Sequence, residues 1–227
     1  MFRKITGIAL VGAFALGAGA DVVTNVWINP AGGYWADTNN WQNGNVAIST
    51  TVADFRQLAS GSKVTITNYT CVGGMVFSGG ADDVWTLETT SEAKLSFRTD
   101  LFGCTPICVE GGTLQLDCLV EFSGVHIARK EGNGILVTKH DFPSSIEFNN
   151  QMIVAEGIFR PKGMTDLWQA NVHVTGTGVL DVPDSLTALW LGSYSSDNGA
   201  TVDLKGRRFL FGASCGAMLS ENVVGTG

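Results

Sequence analysis

The chain has 227 residues, of which 44% are hydrophobic and 15% are charged. This apolar content excludes a disordered chain, and five prolines are too few for a collagen-like or proline-rich protein. The net charge of −7, with a pI near 4.8, argues against nucleic acid or an anionic membrane as a partner, because both attract basic surfaces.

The first twenty residues have the layout of a secretory signal peptide. A basic start precedes an apolar stretch over 5–16, and Ala18-Gly19-Ala20 forms a cleavage site before Asp21. We expect the mature chain to begin at Asp21 and to be secreted or displayed at the cell surface; the alternative is that the segment is kept as an N-terminal anchor. No later apolar run is long enough to span a bilayer, so we expect no membrane span in the mature chain.

The rest of the chain consists of short stretches in which apolar and polar residues alternate. This pattern is typical of half-buried β-strands, and glycine-rich turns separate the stretches. No stretch shows the period of an amphipathic helix, so the predicted fold class is all-β. The clearest strands are predicted over 64–67, 85–88, 95–98, 114–117, 146–149 and 172–175.

A glycine, then any residue, then a large apolar residue recurs with a regular phase. Successive occurrences are 22, 23 and 21 residues apart, and a weaker trace extends back through Ala93 to Gly74 and forward to Leu204. A repeat of about 19–23 residues indicates a solenoid. We predict a right-handed parallel β-helix, with a β-sandwich as the alternative because its strands also alternate with turns. The best occurrences are Gly112-Thr113-Leu114, Gly134-Ile135-Leu136, Gly157-Ile158-Phe159 and Gly178-Val179-Leu180.

The start of the mature chain contains Trp27, Trp35 and Trp41 among Gly and Asn residues, and Phe55 closes the segment. This pattern, W…GGxW…xNW…AxF followed by glycine-phased repeats, resembles the autotransporter-associated β-strand repeat proteins. The resemblance implies an exported, repetitive parallel β-helix of the cell surface, a passenger-like region that is usually not an enzyme.

The segment 129–162 resembles one repeat of that family. Its middle departs from the family pattern, because Asp141-Phe142-Pro143 replaces Asn-Thr-Tyr and Ser144-Ser145 replaces a Gly-Gly pair. Residues 174–180 repeat the opening, so the resemblance covers the Trp-rich entry and about three repeats. It carries no catalytic residue to this chain. The matching positions are Lys130, Gly132, Gly134 and Leu136 at the opening and Val154, Gly157 and Phe159 at the close.

We therefore predict a leader over 1–20, a Trp-rich cap or entry segment over 21–60, and β-helix repeats over 61–227. Residues 223–227 resemble the lead-in to another repeat, and a solenoid needs a polar terminal cap. We expect the repeats to continue beyond residue 227, in a longer protein; the alternative is a short protein with a frayed tail.

The chain has five cysteines. The cluster of Cys104, Cys108 and Cys118 does not have the spacing of a zinc site, and no His lies within it. Export would permit disulfides, and Cys104, Cys108 and Cys118 are close enough in sequence for one bridge. The alternative is that they are unpaired and buried in the coils. We predict neither a metal nor a cofactor.

Residues suited to catalysis are few. Asp82-Asp83 is interpreted as a turn, as are Asp181 and Asp184 beside Pro183 and Asp197 before Gly199. We expect no two acids in register on adjacent coils, where a lyase or hydrolase would need them. Arg207-Arg208 is interpreted as an exposed edge. The three histidines, with no metal or triad spacing, are expected on strand faces: His126, His140 and His173.

The only ligand-binding candidates are Trp27, Trp35 and Trp41, since aromatic faces can stack on sugar rings. The favoured alternative is that they form an apolar plug, because the end of a solenoid would otherwise expose its core and strand edges. The predicted function is that of an exported, non-enzymatic β-helical surface or passenger-type protein with a structural or adhesive role, and with glycans or a host or neighbouring cell surface as partners. The alternative is a carbohydrate-active β-helix: a polysaccharide lyase, a hydrolase or a glycan-binding module.

Overall fold

A computed structural model describes the protein in eleven stretches: residues 23–90, 93–98, 104–122, 127–139, 151–161, 171–181, 188–191, 193–196, 201–203, 208–211 and 223–224. The predicted leader and the strand predicted over 146–149 lie outside them.

Short strands make up four sheets. The first contains β1 (Thr24–Val26), β3 (Val52–Asp54), β6 (Gly74–Phe77), β9 (Thr105–Val109), β12 (Ile127–Glu131), β14 (Gln151–Val154), β16 (Asn171–Val174) and β19 (Ser193–Ser196). The second contains β2 (Gly32–Tyr34), β4 (Lys63–Ile66), β7 (Val84–Thr89), β10 (Thr113–Asp117), β13 (Ile135–Thr138), β15 (Ile158–Pro161), β17 (Val179–Asp181), β20 (Thr201–Asp203) and β22 (Val223–Val224). The third contains β5 (Thr70–Val72), β8 (Lys94–Phe97) and β11 (Leu119–Phe122), and the fourth contains β18 (Ala188–Leu191) and β21 (Arg208–Phe211). Two 3₁₀ turns, Thr38–Asn40 and Gln42–Gly44, lie between β2 and β3.

Every strand pair in the described stretches is parallel. Consecutive strands along the chain belong to different sheets. The chain returns to the same sheet after one complete coil and adds its next strand there. This is the topology of a parallel β-helix, as predicted. It excludes the β-sandwich, whose sheets are antiparallel.

The predicted repeat is confirmed in the second half of the chain. Thr113 pairs with Ile135, Ile135 with Ile158, Ile158 with Val179 and Val179 with Thr201. These steps are 22, 23, 21 and 22 residues long. One glycine-phased unit therefore corresponds to one coil over this part of the solenoid.

The extension of the repeat back to Gly74 is wrong. Gly74 begins β6 in the first sheet, Ala93 precedes β8 in the third, and Gly112 precedes β10 in the second. The apparent steps between them lead from one face of the solenoid to another, not from coil to coil. The true coil is longer here: Met75 pairs with Ile107, which is 32 residues further on.

Alternate side chains of the strands fill the interior. Strands predicted over 64–67, 85–88, 95–98, 114–117 and 172–175 coincide with β4, β7, β8, β10 and β16. Their apolar positions stack in register, so that each coil adds one layer to a continuous core. One such buried column consists of Trp85, Leu114, Leu136, Phe159 and Leu180.

Glycines line the corner between the first and second sheets, as the phase predicts. At the corner formed by 132–134, Gly132 has a φ of +74°, a conformation that favours glycine. Gly134 is needed for a different reason, because a Cβ there would lie 2.6 Å from the Val109 side chain. The two glycines thus serve the turn and the close stacking of coils respectively.

In the described stretches no helix combines the length and the apolar character that a membrane crossing requires.

Candidate functional site

The three tryptophans lie together at the N-terminal end of the described solenoid. Trp27 and Trp35 follow β1 and β2, and Trp41 lies between the two 3₁₀ turns. The side chains are buried. Trp41 meets Trp27 and Trp35 edge to face, with ring centroids 5.1 and 5.2 Å apart. All three rings also contact Phe55, at 5.5 to 5.7 Å. We call Trp27, Trp35, Trp41 and Phe55 the aromatic cap.

Each indole N–H of the aromatic cap has a backbone acceptor, as buried tryptophans require. Trp27 donates to the carbonyl of Asn29, and Trp35 donates to the carbonyl of Ala47 at 3.2 Å. Trp41 donates to the carbonyl of Trp35 at 2.7 Å. The segment between β2 and β3 is thereby held across the end of the first coil.

Two asparagines close the outer edge of β2, the first strand of the second sheet. Asn29 Nδ2 donates to the carbonyl of Gly32 at 2.6 Å, and Asn40 Nδ2 donates to the carbonyl of Tyr34 at 2.9 Å. The two side chains also bond to each other, at 2.8 Å. The Gly32 carbonyl would otherwise be open to pairing with another strand, whereas the Tyr34 carbonyl also accepts from the Asp37 N–H at 3.2 Å. Gly33 leaves room for this arrangement, because a Cβ there would lie 2.9 Å from Asn40 Nδ2.

The geometry of the aromatic cap favours the plug over the sugar platform. The rings cover one another and Phe55, so a sugar cannot reach their faces unless the cap opens.

Two exposed aromatic side chains were not among the candidates named from the sequence. Tyr34 is 59% exposed and Tyr69 is 53% exposed. Alternation is the signal that could have found Tyr34, since it precedes the buried Trp35 on an extended segment.

An acid pair lies on the outer face of the second sheet. β7 and β10 pair so that Glu88 lies directly beside Asp117, and the expectation that no two acids share a register is therefore wrong. Neighbouring strands are about 5 Å apart, a separation compatible with the paired carboxylates of a retaining glycosidase. The sequence did not show the pair because the coil between the two strands is longer than the repeat.

Both acids of this pair have a lysine partner. Lys63 Nζ lies 2.9 Å from the Glu88 carboxylate, and Lys139 Nζ lies 2.9 Å from the Asp117 carboxylate. The hydrogen bond to Glu88 raises the pKa of Lys63. Each carboxylate thus holds a lysine of a neighbouring coil, as a structural ion pair between coils does.

Two further contacts join successive coils on the outside. His173 Nδ1 lies 2.7 Å from Ser195 Oγ, in register on β16 and β19. His173 is thus on a strand face, as predicted, whereas His126 and His140 lie outside the described stretches. Asp181, predicted in a turn, is instead the last residue of β17 and accepts a hydrogen bond from Arg160 Nε at 2.7 Å.

The turn at Asp82-Asp83 is confirmed, because the Gly80 N–H donates to Asp83 Oδ2 at 2.6 Å. Asp184, Asp197 and Arg207 are not among the residues that the structure describes. Within those residues, no group of three or more His, Cys, Asp or Glu side chains could hold a metal ion.

The described cysteines are unpaired thiols, so the bridge considered among Cys104, Cys108 and Cys118 is not formed. Cys108 does not stack on another cysteine, since it lies beside Val76 and Glu131. Burial raises the pKa of Cys108 to about 11 and also raises those of Cys104 and Cys118. These three thiols stay protonated and weakly reactive near neutral pH.

Comparisons of the chain with known protein families, with curated proteins and with solved structures find no match.

Proposed function

We propose that the chain is an exported, non-enzymatic β-solenoid of the surface or passenger type, with a structural or adhesive role. The leader-like start and the family resemblance motivate the export and surface parts of this proposal. The geometry of the solenoid supports the structural part. Glycans or a neighbouring or host cell surface are the proposed partners.

The observation that carries the proposal is the aromatic cap. Three of the six tryptophans of the chain are buried in closing the first coil, where they contact one another and Phe55. A solenoid whose end is sealed can present long, regular outer faces without exposing its core. Ion pairs on the outer face also support a structural role, because they join successive coils. In these pairs Lys63, Lys139 and Arg160 contact acids of neighbouring coils.

The carbohydrate-active alternative is favoured by one observation, the register of Glu88 with Asp117 on an open face. If these acids act on a polysaccharide, the full chain should depolymerise at least one member of a panel of neutral and acidic glycans. The double variant Glu88→Gln/Asp117→Asn should then lose that activity. The double variant Lys63→Gln/Lys139→Gln is the matched control, since it breaks the same ion pairs but keeps the acids.

Two measurements on the full chain test the proposal. The first is release of reducing or unsaturated ends from the panel, for which we expect none above background. Release that depends on Glu88 and Asp117 would replace the proposal by the enzymatic alternative. The second is protease shaving of intact cells that express the chain with its leader. We expect cleavage of the chain outside the cell and a mature N-terminus at Asp21; an intact chain that stays inside the cell would contradict export.

A further inference from the structure

One fully buried lysine lies in the interior of the solenoid. Lys130 is on β12, in register with Ile107 on one side and Val154 on the other, and it is 0% exposed. The same interior column continues through apolar residues, Met75 and Val174. A charged side chain in such a column is costly unless its donors are satisfied, so its head group needs a specific partner.

That partner is a set of three backbone carbonyls. Lys130 Nζ donates to the carbonyl of Glu131 at 2.7 Å, to that of Gly132 at 2.6 Å and to that of Glu156 at 3.2 Å. The first belongs to the last residue of β12, the second to the corner that follows it, and the third to the corresponding corner of the next coil. An ammonium group has three donors, and the three carbonyls match them.

The charged groups around the site have other partners as well. The Glu131 carboxylate accepts from Arg129 Nε at 2.9 Å, and Glu156 Oε2 accepts from the Gly132 N–H at 2.9 Å. Burial lowers the pKa of Lys130 to about 8, although Cys108, Glu156 and Glu131 act in the opposite direction. The ammonium form therefore predominates at neutral pH, and the three neutral carbonyls fix the orientation of its N–H donors.

We propose that this corner is a binding site for a primary ammonium group, built from the carbonyls of Glu131, Gly132 and Glu156, and filled in the native chain by Lys130. Because its acceptors come from two successive coils, the occupied site ties the coil of β12 to the coil of β14. This role is independent of the proposed surface function. The ligand class follows from the surroundings of the site. Three convergent carbonyls bind the N–H donors of an ammonium group, and the apolar column beside them accommodates an alkyl chain. An alkylammonium ion has both parts.

Chemical rescue tests the proposal directly. The change Lys130→Ala in the full chain removes the three methylenes and the nitrogen beyond Cβ, which together correspond to n-propylammonium. We expect the variant to have a lower Tm, and n-propylammonium to raise that Tm in a concentration-dependent way, because a ligand of the folded state stabilises it. Tetramethylammonium has the same charge but no N–H donor and should not do so.

The matched control variant is Lys139→Ala, which removes an outer lysine paired with Asp117. Its Tm should respond equally to the two ammonium ions. The proposal is overturned if both ions raise the Tm of Lys130→Ala equally, or if n-propylammonium has the same effect on Lys139→Ala.

A second measurement on the unaltered chain covers the case in which Lys130→Ala does not fold. Native acetylation followed by peptide mass spectrometry compares Lys130 with Lys63, whose side chain is 61% exposed. A caged amine reacts only after local opening, so we expect Lys130 to be modified more than about tenfold more slowly than Lys63. Equal rates for the two lysines would rule out the caged ammonium.

Discussion

The ring of Phe55 lies flat on the ring of Phe77 in the next coil, with centroids 4.7 Å apart and an interplanar angle of 14°. Phe55 also contacts all three tryptophans of the aromatic cap, and Phe77 contacts Trp85 at 5.7 Å. An unbroken aromatic column thus joins the closed end of the solenoid to the first regular coils. Phe55 is the link, and the cap and the coils should lose stability together when it is removed.

We expect Phe55→Ala to lower the free energy of unfolding by about 3–5 kcal/mol, because it opens a cavity between four aromatic rings. Denaturant unfolding followed by tryptophan fluorescence measures the loss and reports the cap directly. The control is Tyr69→Ala, which removes an exposed ring and should change stability by less than about 0.5 kcal/mol. Similar losses in the two variants would contradict the aromatic column.

The plug hypothesis and the sugar-platform hypothesis predict different effects of Trp35→Ala on stability and on glycan binding. Trp35 is buried and its N–H bonds to Ala47, so the plug predicts a loss of about 3–5 kcal/mol and a Tm lower by several degrees. Differential scanning calorimetry measures it. If the variant kept its Tm but bound glycans more weakly, the plug hypothesis would be wrong and the sugar-platform hypothesis would be supported.

Two glycines with similar φ separate backbone strain from packing. Gly132 and Gly61 have φ values of +74° and +80°, but a Cβ would lie 2.5 Å from the Val109 carbonyl oxygen at Gly132 and in open space at Gly61. We expect Gly61→Ala to cost about 1–2 kcal/mol through strain alone. Gly132→Ala adds overpacking of about 1–3 kcal/mol. Equal losses in chemical denaturation would show that the corner is not tightly stacked.

Asn40 protects the edge of β2. The change Asn40→Ala leaves the Tyr34 carbonyl and the Asn29 amide without this partner, and should cost about 1–3 kcal/mol. It should also increase association, because the Asn29 side chain that covers the Gly32 carbonyl loses its own partner and the edge of β2 opens more readily to pairing. Light scattering and Tm measurements check both effects. The control is Asn45→Ala, at an exposed position of the same segment; equal behaviour of the two variants would argue against edge protection.

The buried ammonium predicts a pH dependence. The folded pKa of Lys130 is about 8, below the ordinary value near 10.4, so above pH 8 the unfolded chain binds a proton that the folded chain has released. Relative to Lys130→Met, the native chain should therefore gain stability between pH 8 and about 10, by about 1–2 kcal/mol, and show no change below that window.

Unfolding curves of both proteins at pH 7 and pH 9.5 measure this difference. The raised pKa values of Cys104, Cys108 and Cys118 lower stability in alkali in both proteins, so their effect largely cancels. A difference that falls with pH would mean that the folded pKa of Lys130 lies above its ordinary value, and an unchanged difference would mean that this pKa is not shifted. Either result would contradict the lowering of the pKa by burial.

The sequence by itself determined the local structure of this protein. Alternation predicted β4, β7, β8, β10 and β16, because the period of a strand is a property of neighbouring residues. The glycine phase predicted the coils after Gly112 for a similar reason, since a corner needs a particular backbone conformation at one residue. The tryptophan cluster was also evident, and its interpretation as a plug agrees with the burial of all three rings.

Only the tertiary structure decided which residues meet across coils. Glu88 lies beside Asp117, and Lys130 points at the Glu156 carbonyl, because of how many residues each loop inserts before the chain returns to the same sheet. In the first coils that number reaches 32, well above the repeat, and no local pattern reports it. Lys130 shows the same limit: in the sequence it is only a match to the family repeat, and the acceptors that make its burial tolerable belong to the turn and to the next coil, which only the folded stack brings together.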